Sequence, residues 1–288
     1  MPLIALALVL CAAVLHASWN IAARRAASRG HPGVPFVWLY SAIGNLFWAP
    51  VLAWILVDSP PPLRLSTLLS LLATGTLHLA YGLVLQHAYK VSELSVVYPV
   101  ARGLGPTLST LGAVLLLHER PGPLAMLGAG LVVLGVFGLA GGRARGERVL
   151  SGVAWGALTG ALIASYTLVD GNAVRNLAIP ALLVDYAGNL VRMCSLAPAV
   201  LRDRVGLRAV VRGAWREAAA VAVLGTGGYV MVLTAMKLAP LSHVAPAREV
   251  SMLIATWVGA KAMQEGELPR RLLASGLMVA GVVLLAVG

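Results

Sequence analysis

Charged and aromatic side chains are scarce in this 288-residue chain, and the few that interrupt its apolar stretches are the ones able to do chemistry. Four basic residues stand inside such stretches: Arg102, Arg192, Arg248 and Lys261, the last close enough to an end to reach polar surroundings along its own stem. An arginine held at the centre of an apolar span costs at least about 3 kcal/mol, so a stable bundle has to pair it or hydrate it. Glu249 follows Arg248 directly. Arg102, Arg248 and Glu249 therefore read either as a structural cluster or as the lining of a polar path. Asp185, Asn189 and Arg192 fall at i, i+4 and i+7, on one helical face, so an internal ion pair is the first reading and substrate contact the second. Other faces repeat this mixture of polar and aromatic groups. His16, Trp19 and Asn20 share one, His78, Tyr81 and Gly82 a second, and Ser95, Tyr98, Arg102 and Pro106 a third. Later in the chain come Ser165 with Tyr166, Thr226 to Tyr229, and His243 with Pro246, Arg248, Glu249 and Trp257. Each face serves either for hydrogen bonding between helices or for lining a cavity.

The chemistry open to such groups is recognition. Guanidinium groups offer paired donors to a carboxylate, and ring faces attract an ammonium. Bond-breaking chemistry lacks its usual constellations. His118-Glu119 is without the second histidine of a zinc HExxH site, and no nucleophile stands with a base and an orienting acid. Cys11 and Cys194 both lie in apolar runs and read as small core residues. No catalytic residue, metal or cofactor is expected, which argues against an enzyme.

The elements that must position these residues are helices in a bilayer. Apolar residues make up 59% of the chain and charged ones 11%, against about a quarter charged in soluble domains. Ten apolar runs, at about 2–22, 34–57, 67–88, 92–117, 123–140, 151–171, 179–200, 215–236, 241–262 and 271–287, approach the roughly 20 residues that cross a hydrocarbon core. They lack the apolar-polar alternation of a membrane barrel. The first run reads as a spanning helix rather than a signal peptide, because no basic leader precedes it and its counterpart near Ser165 is internal. The formal charge of +11 lies mostly in the connections, with fourteen Lys and Arg after the odd-numbered runs and four after the even-numbered ones. That bias places the odd connections in the cytoplasm and both termini outside. Basicity orients the chain and calls for no nucleic-acid partner.

The runs form two related sets. The stretch 90–119 and the stretch 237–265 each begin with lysine and reach Leu-Ser (Leu94-Ser95, Leu241-Ser242), then proline (Pro99, Pro246) and Ala-Arg (Ala101-Arg102, Ala247-Arg248). Each ends in a glutamate, Glu119 or Glu265, seventeen residues beyond its arginine. Ser18-Trp19 matches Ser165-Tyr166, and Gly44-Asn45-Leu46 matches Gly188-Asn189-Leu190. The halves, 1–140 and 151–288, meet at a Gly/Arg-rich linker over 141–150. Five runs per half force the second half to enter the membrane from the opposite side, which makes the repeats inverted. Gly152, Gly156 and Gly160 form a stripe for close helix packing, while the fifth and tenth runs carry few polar side chains and read as scaffold or dimer-facing.

The glutamate, proline and glycine-rich helix ending each half (Glu119, Pro121 and Gly128; Glu265, Pro269 and Gly276) resemble the EamA-type branch of the drug/metabolite transporter superfamily. Within that branch the likeness is to bacterial amino-acid exporters of the YddG type. The resemblance implies an all-α inner-membrane protein of ten transmembrane helices, monomeric or homodimeric, with both termini in the cytoplasm, at odds with the loop charges. It also implies export of a small-molecule substrate, an amino acid or related metabolite, by alternating access; a channel-like facilitator is the other reading. A substrate cavity is then expected between helices 1, 3, 4, 6, 8 and 9, lined by His16, Trp19, Asn20, His78, Tyr81, Tyr98, Arg102, Ser165, Tyr166, Tyr229, His243, Arg248 and Glu249. The lack of an acid in helix 1 argues against a proton-coupled exporter of cations.

Overall fold

The computed structural model describes residues 1–31, 33–62, 64–92, 94–140, 147–251 and 268–288. The described chain is helical throughout: α1 (Leu3–Ser28), α2 (Val34–Asp58), α3 (Leu65–Val91), α4 (Leu94–Leu116), α5 (Pro123–Ala140), α6 (Glu147–Arg175), α7 (Ala181–Arg202), α8 (Arg204–Leu238), α9 (Leu241–Ala247) and α10 (Leu268–Val287). The remainder of the expected ninth run, with Trp257, Lys261 and Glu265, lies outside the described residues, as do most of the expected linker and the side chains of Ser95 and Tyr98.

Prolines mark where helices begin. Pro2, Pro180 and Pro240 precede α1, α7 and α9 with φ near −56°, and Pro123 opens α5. A ring that fixes φ and removes an N–H suits a position where that N–H has no helical partner. Gly33, at φ 94°, turns the chain into α2.

The main departure from the sequence reading is at α8. Its start was expected near 215, after a basic loop, yet the helix begins at Arg204 and bends at Ala214, where φ is −140°. Asp203 accepts the Gly206 N–H at 2.9 Å and caps the new start. Arg204, Arg208 and Arg212 then recur every four residues while Val210 and Ala214 turn inward, so the basic connection is itself an amphipathic helix. On α2 the Trp48 indole N–H points inward to the Ala222 carbonyl at 3.4 Å, whereas Trp54 is exposed.

Among the described residues, five helices are long and apolar enough to cross a membrane: α1, α2, α6, α8 and the 65–85 portion of α3. Shorter apolar helices cover Val100–Leu116, Pro123–Gly138 and Leu273–Val287. Large apolar side chains such as Leu46, Trp54, Leu115 and Leu273 face outward on several helices, a surface suited to lipid. The chain is a multi-pass helical membrane protein.

Inside the bundle, α1 packs on α8 and α6 on α3; α2 packs on α8 and α7 on α3; α2 meets α7, α4 meets α9 and α5 meets α10. Glycines set the closest approaches. Gly156 and Gly160 of α6 lie against the Val97 and Ala101 carbonyls of α4, where an added Cβ would stand 3.0 and 3.1 Å from those oxygens. Between α5 and α10 the approach is reciprocal: a Cβ on Gly128 would meet the Gly281 carbonyl at 2.6 Å, and one on Gly281 would meet the Gly128 carbonyl at 2.6 Å. Backbone cannot rotate away as a side chain can. Gly281→Ala is therefore expected to lower thermal stability in detergent by about 1–3 kcal/mol through overpacking. Gly276→Ala, on the same helix with nothing within 4 Å of its added Cβ, is expected to be neutral or stabilising. Equal effects of the two changes would contradict this account.

Candidate functional site

The polar faces converge on one cavity of about 390 Å³ inside the bundle. Its walls come from α1, α3, α4, α6 and α8, and from Arg248 and Ser251 just beyond α9. They also include Tyr40 of α2 and Asp185, Asn189 and Arg192 of α7, two helices the sequence reading left out of the walls.

One end of the cavity carries two arginines. Arg102 Nη2 stands 3.4 Å from His16 Nε2, and His16 meets the Trp19 ring edge-on at 4.9 Å. Behind them Glu249, fully buried, places one carboxylate oxygen 3.4 Å from Arg102 Nε and the other 3.7 Å from Arg248 Nε. These are ion-pair distances without aligned hydrogen bonds, so Coulomb attraction holds the triad. The two sequence readings of this trio, structural cluster and polar lining, both describe it: Arg102 and Arg248 line the cavity while Glu249 sits behind.

A third arginine lies on α7. Arg192 Nη1 donates to Asn189 Oδ1 at 3.0 Å, and Asn189 Nδ2 donates to Asp185 Oδ2 at 2.8 Å. The expected contact between Asp185 and Arg192 is thus bridged by the amide. The Arg192 guanidinium also lies over the Tyr40 ring, 5.8 Å from its centroid.

Aromatic groups complete the wall. His78 stacks on Tyr166 with centroids 4.1 Å apart, Tyr229 meets His78 edge-on at 5.4 Å, and Tyr81 meets Tyr166 at 5.6 Å. Behind this wall is Asp170, wholly buried. Its Oδ2 accepts the Tyr229 hydroxyl at 2.5 Å and lies 3.0 Å from His78 Nε2. Sequence reasoning passed over Asp170. The available signal was its place one turn after Tyr166, on the same face of α6.

Of the residues singled out from sequence, His16, Trp19, Asn20, His78, Tyr81, Arg102, Tyr166, Tyr229 and Arg248 line the cavity. Ser165 does not; its hydroxyl bonds back to the Ala161 carbonyl at 2.8 Å. His243 is buried in the first turn of α9, away from the lining. Among the described residues no cluster of three or more His, Cys, Asp or Glu is arranged to hold a metal.

A cavity walled by arginines and aromatic rings, inside a bundle whose outside is apolar, defines a helical membrane protein built around a polar internal site. Residues 3–141 match the EamA-like transporter family. No curated protein matches the chain. A solved structure described only as "Crystal structure of protein" superposes with a TM-score of 0.71 over 97% of this chain and 98% of that one, at 16% identity, which is a likeness of fold.

Proposed function

We propose that the protein is a secondary transporter that exports amino acids, large aromatic and hydrophobic ones included, across a bacterial inner membrane. In this reading the halves 1–140 and 151–288, joined through 141–150, are inverted repeats that expose the cavity alternately to each side. Several helix pairings support it: exchanging each helix for the one five places along turns α1/α8 into α6/α3 and α2/α8 into α7/α3, and leaves α2/α7, α4/α9 and α5/α10 unchanged, whereas the extensive α4/α6 pairing has only a slight α9/α1 counterpart among the described residues. The family match of the first half supports a membrane transporter of small molecules.

The observation that carries the substrate class is the content of the cavity. Arg192 and the Arg102/Arg248 pair offer donors for a carboxylate, Tyr81, Tyr166 and Tyr229 offer ring faces for an ammonium, and Ala12, Ile163, Val221 and Val232 leave apolar wall for a side chain. The volume falls in the roughly 300–1,000 Å³ range of small-molecule sites. Asp185, the one acid among the described lining residues, is already engaged by Asn189, which favours zwitterions over polycations.

Proteoliposomes loaded with labelled phenylalanine are expected to show saturable efflux that is accelerated by unlabelled phenylalanine outside, the mark of a carrier. Arg192→Gln and Tyr166→Ala are each expected to cut that exchange at least tenfold, the equivalent of about 1.4 kcal/mol of lost binding. Ser165→Ala, off the cavity, is expected to exchange like the parent. Non-saturable efflux would turn the assignment toward a channel, and no efflux of any amino acid would sink it.

A further inference from the structure

We propose that Asp170, His78 and Tyr229 form a proton-binding site, and that its proton is exchanged for the ammonium group of the substrate, so that export is a proton–substrate antiport. The proposal rests on reading the cavity as a transport site for zwitterions. Its geometry is independent of that reading. Asp170 is the buried acid of α6, and among the described residues its ion-pair partner is an imidazole rather than a lysine or arginine. One carboxylate oxygen serves both His78 and Tyr229, and the other has no hydrogen-bond partner among the described residues. A lone carboxylate in a membrane interior is costly, and a neutral locus requires one proton within the Asp170/His78 pair. That proton belongs to the pair rather than to either residue. Since His78 and Tyr229 line the cavity while Asp170 does not, the imidazole is the face through which the proton meets water and substrate.

The surrounding charges give the proton something to exchange with. From α4 and α9, Arg102 and Arg248 face the site with Glu249 behind them, two basic groups to one acid, and from α7 Arg192 is joined to Asp185 through Asn189. Within α6, Tyr166 is the ring on which His78 is stacked, at 4.1 Å. A substrate carboxylate neutralises the arginine end. An ammonium resting on the Tyr166 face then stands beside a pair whose proton leaves it without net charge, with no other free anion among the described lining residues to offset it. Loss of the proton to water leaves the Asp170 carboxylate to balance the ammonium. The net step is zwitterion plus protonated site going to occupied site plus a free proton, with no bond to carbon made or broken.

Binding and proton release are then linked, and each must weaken the other by the same factor. The test is phenylalanine binding to the detergent-solubilised full chain in weakly buffered solution with a pH indicator. About one proton is expected to appear per phenylalanine bound near neutral pH, with affinity falling up to tenfold per unit of acidification. Asp170→Asn is expected to bind phenylalanine more weakly, release no proton and lose the pH dependence. His78→Gln, a second route should Asp170→Asn fail to fold, is expected to abolish release as well. In proteoliposomes, an acid interior is expected to drive accumulation of phenylalanine by the parent and not by Asp170→Asn. Binding by the parent without proton release would overturn the antiport and leave the amino-acid carrier standing. Release that survives Asp170→Asn and disappears in Asp185→Asn would overturn the site. No binding or exchange of any amino acid by the parent would remove the transport reading and this proposal with it.

Discussion

Glu249→Gln is expected to destabilise the protein by about 3–5 kcal/mol, the cost of breaking a buried ion pair by removing one partner. The carboxylate is wholly buried between Arg102 and Arg248, at 3.4 and 3.7 Å, and the two arginine side chains are only 12% and 10% exposed. Removing the one negative charge leaves two guanidinium groups facing each other across little solvent. Neither oxygen of Glu249 makes an aligned hydrogen bond among the described residues, so a glutamine of the same shape recovers little of the interaction. Adding Arg248→Met removes the second charge and is expected to restore a large part of the loss, because apolar replacement of a buried charge cluster is frequently neutral. The measurement is thermal or denaturant unfolding in micelles for the single and double variants. A loss below about 1 kcal/mol in Glu249→Gln would mean that water in the cavity, rather than the buried carboxylate, stabilises the two arginines.

Glu119→Ala is expected to cost about 2–4 kcal/mol, from charge-assisted hydrogen bonds worth roughly 1.5–3 kcal/mol each and partly replaced by water. The carboxylate sits in the connection from α4 to α5 but acts on two other helices. Its Oε1 accepts the Leu241 N–H at 2.8 Å and an Arg175 N–H at 2.7 Å, and its Oε2 accepts the Ser242 N–H at 2.9 Å. Leu241 and Ser242 open α9, where backbone amides have no helical partner and a negative charge is favoured. Glutamine keeps one acceptor oxygen, so Glu119→Gln is expected to fall between alanine and parent. Arg175→Gln is expected to cost less than about 1 kcal/mol, since that side chain is 41% exposed and its ion pair is screened. The ranking decides the matter. If Arg175→Gln proves as costly as Glu119→Ala, the ion pair rather than the α9 amides accounts for the role of Glu119.

The two glutamates illustrate how far the sequence could be read. Glu119 was visible from its place in the duplicated stretch, and Glu249 from its position beside Arg248. What each does was hidden, because the partners are remote: Glu119 reaches amides 122 and 123 residues away, and Glu249 pairs with Arg102 on another helix. Asp170 is the extreme case. Its partners are 92 and 59 residues distant, and nothing within one helical turn except Tyr166 marks it as part of a site.

What the sequence determined by itself was local: apolar runs that must be helices, proline starts, and faces such as His16/Trp19 and Asp185/Asn189/Arg192, all set by a period of 3.6 residues within a few turns. The same local pattern marked 204–213 as well, in the four-residue recurrence of its arginines, but their charge made the segment read as a loop. Only the packing of the helices decided which faces meet. That choice depends on close approaches such as Gly156 on the Val97 carbonyl and Gly128 on Gly281, where angstrom-scale fit between segments far apart in the chain selects one arrangement of the cavity.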